Sequence, residues 1–231
     1  AFSAAPRFLT VEPVMAARWR ARLATLGPEL KVGLAWRSGL ITSERRGAYT
    51  NIGDWSVALK TPGVRFINLQ YGDVRAELAF AREAFGTEIV SFDDLNLKHD
   101  LEGAAALMSA LDLVLSPATS AGELAAAAGT PTWRLAARDW TSVGTHVRPM
   151  FPTMRVFSAV SGESLHVVAN RIGASLRRLA AATEERAPTL KTIAMQLAAA
   201  RRAFVDGGTA QAARGFVGVL RADRQSAQAW V

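Results

Sequence analysis

Five short apolar runs, each tied to the next by a helical pattern, constrain the fold more than any other feature of this chain. The runs are 31–36 (KVGLAW), 64–69 (VRFINL), 88–92 (EIVSF), 111–115 (LDLVL) and 132–136 (TWRLA). They have strand length and lack the strict polar alternation of a strand with one wet face, so they read as strands buried on both sides. Helical patterns lie between them: 54–59, with Asp54 as its N-cap; 74–85, stopped by Gly86; 101–110; and 121–128. A further helix over 14–26, ended by Gly27 and Pro28, precedes the first strand. Strands alternating with helices at this spacing require right-handed crossovers. The prediction is an α/β fold, a doubly wound parallel sheet of Rossmann-like type over residues 30–160.

In such sheets ligands lie beyond the carboxyl ends of the strands. That rule selects four loops. After the first strand, Arg37 can meet a diphosphate with its fork and Ser38 adds a hydroxyl, with Gly39, Arg45 and Arg46 following. Gln70 ends the second strand and suits a phosphate or a sugar hydroxyl. Lys98 and His99 follow the third, placed to contact a base or ribose; in the alternative reading that loop is a charged turn capping the next helix through Asp100. Thr119, Ser120, Ala121 and Gly122 follow the fourth, where hydroxyls and free N–H groups at a helix start favour an anion. The plainer reading is that Thr119 or Ser120 caps the helix.

Charge and composition narrow the function further. The net charge of +7 is unevenly spread: residues 1–50 carry 8 basic and 3 acidic side chains, 51–160 carry 9 and 12, and 161–231 carry 10 and 5. The arginines sit singly or in pairs on helical patterns without interleaved aromatics, which argues against a nucleic-acid partner. No run approaches the roughly 18 apolar residues of a membrane span. The chain has no cysteine, which fits a cytoplasmic protein and removes thiolate metal sites. His99, His146 and His166 are isolated, so no metal site is expected. The chain contains no GxSxG elbow, Walker loop or GxGxxG.

The last third changes character. Residues 164–185 read as a long helix closed by ERAP, and the remainder as two helices joined by Gly207-Gly208. Gly207, Ala212, Phe216, Val219, Leu220 and Asp223 fall at the spacings of a tetratricopeptide repeat, with Trp230 opening the next and Arg224 where a proline is usual. Both ends read as parts of something longer.

Taken in order, KVGLAWRSG, VRFINLQYG, AALMSALDLVLSPATS, GELAAAAGTPTW and DWTSVGTHVRPMFPTMRVF resemble the carboxy-terminal half of bacterial tetratricopeptide-repeat glycosyltransferases. These are relatives of O-GlcNAc transferase and of heptosyltransferase-like GT-B enzymes. The resemblance implies a nucleotide-sugar-binding lobe over 30–160, preceded at 1–29 by a helical linker from a mostly missing amino-terminal lobe. It implies a crossing helix over 161–190 and a repeat-like tail over 191–231. By the same resemblance Thr119 and its neighbours are the phosphate turn, Arg37 the arginine of the WR loop and Gln70 the glutamine of the LQ motif. The donor would be UDP- or CMP-linked, the reaction metal-independent and without cofactor, and the acceptor a protein such as flagellin. Many relatives carry Asp and His where this chain has Ala118 and Glu123. Glu123 is then either a repulsive neighbour of phosphate, a contact for a sugar hydroxyl, or a catalytic base. The other reading is a non-catalytic interaction protein with a degenerate lobe.

Overall fold

The computed structural model of the chain describes residues 8–39, 49–137, 141, 147–206 and 211. It divides into two units, 1–180 and 181–231. The elements run α1 (Pro13–Ala24), β1 (Leu30–Leu34), a 3-10 turn (Ile52–Trp55), α2 (Ser56–Leu59), β2 (Val64–Asn68), α3 (Arg75–Phe85) and β3 (Ile89–Val90). They continue through α4 (Leu101–Ser109), β4 (Leu113–Pro117), α5 (Ser120–Ala127), β5 (Thr132–Ala136), β6 (Val147–Arg148), β7 (Phe151–Ser158) and α6 (Leu165–Val205).

The sheet order is β3-β2-β1-β4-β5-β7-β6. Every pairing is parallel except β6 with β7, which is antiparallel at the edge. The chain winds outward from β1 to β3, then returns to lay β4 against β1, with Leu34 beside Leu115. The order therefore reverses between β1 and β4, the point where doubly wound folds open a crevice.

Alternation along the strands explains the two cores. Val32, Leu34, Trp36, Phe66, Leu115 and Leu135 face one side with Trp55 and the α6 residues Val168, Ile172 and Leu176. Ala35, Ile67, Leu69 and Val114 face the other with Leu23 of α1, Leu107 and Met108 of α4 and Ala125 of α5. Gly33 is small because a Cβ there would lie 2.7 Å from the Cδ1 of Leu111 and 3.1 Å from the Cγ of Leu69.

Several expectations hold in detail. Gly86 ends α3 with φ 68°, and Asp100 caps α4 through the Gly103 N–H at 2.8 Å. Three need correction. Asn51, not Asp54, caps the segment after β1; Asp54 sits three residues on and returns the bond to the Asn51 N–H at 2.9 Å, a reciprocal box. The sheet gains β6 and β7, since FPTMRVFS alternates but its Pro152 disguises a strand that pairs with β5 from Met154 to Ser158. The helix from Leu165 does not stop at ERAP; its backbone runs on to Val205. A proline inside a helix removes one hydrogen bond and costs about 3 kcal/mol, yet it does not end the helix here. The repeat positions from Gly207 to Trp230 lie outside the described residues.

Gly173 offers a test of packing across the first unit. A Cβ there would lie 2.6 Å from the Ala58 backbone N and 2.7 Å from the Val57 Cγ1. In an exposed helix Gly→Ala stabilises by roughly 1 kcal/mol. Here the sign is expected to reverse, with Gly173→Ala destabilising by about 1–3 kcal/mol in urea titrations. A neutral or stabilised variant would contradict this packing of α6 on α2.

Candidate functional site

The rim formed by the strand ends holds most of the residues selected from the sequence, but in unequal roles. At the end of β1, Trp36 is fully buried, and the chain emerges at Arg37, Ser38 and Gly39. Gln70, only 2% exposed, reaches across from the end of β2. Its Oε1 accepts the N–H groups of both Trp36 (3.1 Å) and Arg37 (3.0 Å). Asn68 Oδ1 in turn accepts the Gln70 N–H at 2.9 Å. Gln70 therefore braces the loop that carries Arg37, and its carbonyl oxygen is already engaged. Gly39 donates its N–H to the Tyr71 hydroxyl at 3.1 Å and packs under that ring.

Arg37 is gripped by Glu77, from the first turn of α3. Its Nε and NH2 donate to the two carboxylate oxygens at 2.9 and 2.6 Å, and Trp36 Nε1 donates to the same carboxylate at 2.7 Å. Both side chains of the pair are mostly buried, 21% and 25% exposed. Hydrogen bonding to Glu77 raises the guanidinium's pKa further. Burial alone would push the Glu77 carboxyl up, but the bonds from Arg37 and Trp36 outweigh it and leave it below the usual glutamate range. Sequence reasoning passed over Glu77; its one signal was an acid opening the helix that follows a strand end.

The turn after β4 differs from a simple capped helix. Thr119 has the extended backbone of an N-cap (φ −128°, ψ 163°) yet makes no side-chain capping bond. Its hydroxyl shares a 2.7 Å bond with Ser116 Oγ, and its N–H donates to the Pro117 carbonyl at 2.7 Å. The leading N–H groups of α5, on Ser120, Ala121 and Gly122, are left without that cap at the carboxyl end of β4, the positive end of the helix dipole. Gly122 is also a packing residue, since a Cβ would lie 3.1 Å from the Ser116 side chain.

Glu123 stands half-exposed in the same helical turn, and its surroundings change how it reads. Its Oε1 accepts from NH1 of both Arg134 on β5 and Arg148 on β6, two arginines only 13% and 11% exposed. A carboxylate oxygen held by two guanidinium groups ties α5 to the adjoining strands. It is compensated rather than a bare negative charge beside the turn. Neither arginine stood out in the sequence, because Arg134 is a single basic residue in an apolar strand and Arg148 belongs to a strand of only two residues.

Lys98 and His99 lie on a separate part of the rim. They line a cleft of about 770 Å3 beyond β2 and β3, together with Gln70, Tyr71, Phe92 and Asn96. Both side chains are exposed, and both backbone N–H groups donate to Asn96 Oδ1 at 3.1 Å. The cleft's floor is steadied by Arg22 of α1, which pairs with Asp94 at 2.6 and 2.9 Å and lies 4.3 Å over the Phe92 ring. Among the described residues no group of His, Cys, Asp and Glu could hold a metal, and no helix is long and apolar enough to cross a membrane.

Two outcomes follow from this geometry. Gln70→Leu leaves two N–H donors at the end of β1 without an acceptor and is expected to destabilise by about 2 kcal/mol in urea unfolding. Because Glu77 titrates lower in the folded state than in the unfolded one, the pair's contribution is fully present above the unfolded value. It is lost as pH falls through the depressed folded value. Acid titrations of stability are expected to fall more steeply below about pH 4.3 for the parent than for Glu77→Gln; parallel curves would contradict the pairing.

No protein-family model matches the chain. It is 40% identical over 182 residues to Protein FlbA of Caulobacter vibrioides, an alignment covering 78% of this chain and 30% of that protein. Among solved structures it resembles the glycosyl transferase family 9 protein from Veillonella parvula, with a TM-score of 0.54 at 12% identity. That match covers 76% of this chain and 52% of the other. The chain thus spans under a third of its curated relative and about half of the solved one. At this identity the structural likeness establishes the fold: an α/β, Rossmann-like sheet of the kind found in a glycosyltransferase.

Proposed function

We propose that the chain supplies the donor-binding lobe of a GT-B glycosyltransferase, moving a sugar from a nucleotide sugar to an acceptor. The observation that carries this reading is the start of α5: a helix N-terminus lacking a side-chain cap, at the β1–β4 crevice, on a fold shared with a glycosyltransferase. In the reaction, an acceptor oxygen bonds to the anomeric carbon as the bond from that carbon to the phosphate oxygen breaks. The charge growing on the departing phosphate is met by the N–H groups of Ser120, Ala121 and Gly122 and by Arg37, without a metal. The hydroxyls of Thr119 and Ser38 lie on the same rim. The cleft bearing Lys98 and His99 is assigned to the nucleoside. Gln70 acts by bracing Arg37.

The acceptor's proton needs a base. Glu123 is a poor choice for it, because its Oε1 is engaged by Arg134 and Arg148. We assign the acceptor to a protein, flagellin being the candidate from the resemblance, and repeat-like helices over 191–231 as its docking element. The second reading, a non-catalytic interaction protein, draws on Ala118 and Glu123 standing where relatives keep Asp and His.

Thermal shift measurements with UDP, CMP and GDP separate these readings. At a hundredfold excess over Kd a bound nucleotide adds about 2.7 kcal/mol, or about 5–10 °C in Tm for a chain of this size. One nucleotide of the three is expected to give that shift, and Thr119→Val and Arg37→Ala to remove it. Silence from all three would overturn the donor-binding assignment; binding without transfer to any acceptor would favour the second reading.

A further inference from the structure

A guanidinium group has two edges that can meet an oxyanion with paired N–H bonds: the side formed by Nε and one terminal nitrogen, and the end formed by the two terminal nitrogens. Glu77 occupies the side of Arg37, through Nε and NH2. No described acceptor takes NH1, so the end edge is not used by Glu77. The grip is rigid for physical reasons. The carboxylate is fixed by a third bond from the buried Trp36 indole, and the Arg37 backbone is fixed by Gln70. Main chain and side chain of Arg37 are thus held independently, by residues from β2's end and from α3.

From this we infer that Glu77 is a positioning residue for anion recognition: it orients Arg37 so that the end of its guanidinium faces a phosphate at the carboxyl end of β1. The inference rests on the donor-binding reading and deepens it, since it makes a negatively charged residue a requirement for binding a negatively charged ligand. Simple electrostatics gives the opposite sign. Removing a carboxylate beside an anion site should strengthen binding through charge alone, whereas removing an orienting group should weaken it. The two accounts cannot both hold.

Isothermal titration with pyrophosphate, UDP and uridine on the 231-residue chain decides between them. Glu77→Gln keeps one acceptor oxygen for Trp36 and loses the paired grip. The expected result is about tenfold weaker binding of UDP and pyrophosphate with uridine unchanged. Arg37→Lys, which keeps the charge but has no fork, is expected to lose as much as Arg37→Ala. The double variant Arg37→Ala/Glu77→Gln is expected to lose no more than Arg37→Ala alone, because the two residues act as one unit. Far-UV circular dichroism and unchanged uridine binding report that the variants are folded. Tighter UDP binding by Glu77→Gln would overturn the inference and make Glu77 a competing counter-ion. Equal weakening of uridine and UDP, or additive losses in the double variant, would overturn it in favour of a purely structural role. If the parent binds uridine but neither pyrophosphate nor UDP, the positioning role falls while a nucleoside site survives. If the parent binds none of the three, the donor-binding reading falls with it.

Discussion

Two backbone N–H groups at the end of β1 converge on one side-chain oxygen of Gln70, and the geometry of the rim follows from that crossing. Strand ends in a parallel sheet leave N–H groups without ladder partners, and here those of Trp36 and Arg37 lie at or near the protein interior. Burying them unpaired would cost about 1–3 kcal/mol each. A glutamine from the neighbouring strand satisfies both, and in doing so it fixes the direction in which the chain leaves the sheet. Arg37 then emerges toward α3, where Glu77 receives it. The loop's place on the rim depends on this prior pairing of backbone polar groups.

On the other side of the crevice the same logic applies with the opposite outcome. Thr119 spends its hydroxyl on Ser116 instead of on the helix it precedes. The start of α5 is left as a cluster of N–H groups without that cap, backed by small residues and by a glycine that lets the helix sit close on β4. Glu123 brings a negative charge into this positive setting. Arg134 and Arg148 answer it from β5 and β6, each the lone basic residue of its strand. The result is a helix locked laterally to β5 and β6, with its leading end exposed to the rim.

Much of this was legible in the residues, and the failures have physical causes. Strands β1, β2, β4 and β5 and helices α3, α4 and α5 announce themselves because buried parallel strands are continuous apolar runs and the helices carry their own stop and cap signals. Strand β7 escapes because Pro152 masks an otherwise alternating pattern. The cap at Asn51 escapes because a short 3-10 turn has no apolar period to mark its start. The rim was legible at the level of loops, since the carboxyl-end rule depends on topology alone. Its internal pairings were not, since Arg37 with Glu77 lies 40 residues apart and Glu123 with Arg148 lies 25 apart. Nothing in local spacing links such pairs; only the order of strands brings them together. For the same reason Gln70 reads from sequence as a ligand contact, with no sign that its Oε1 also braces the end of β1.

The central claim is that the crevice between β1 and β4 is where an oxyanion is bound. A crystal structure of the chain with a bound nucleoside diphosphate tests it most directly. The account requires phosphate oxygens within hydrogen-bond distance of the Ser120–Gly122 N–H groups, with the Arg37 guanidinium turned toward them and still held by Glu77. A nucleotide seated elsewhere, with the start of α5 and Arg37 untouched, would contradict it.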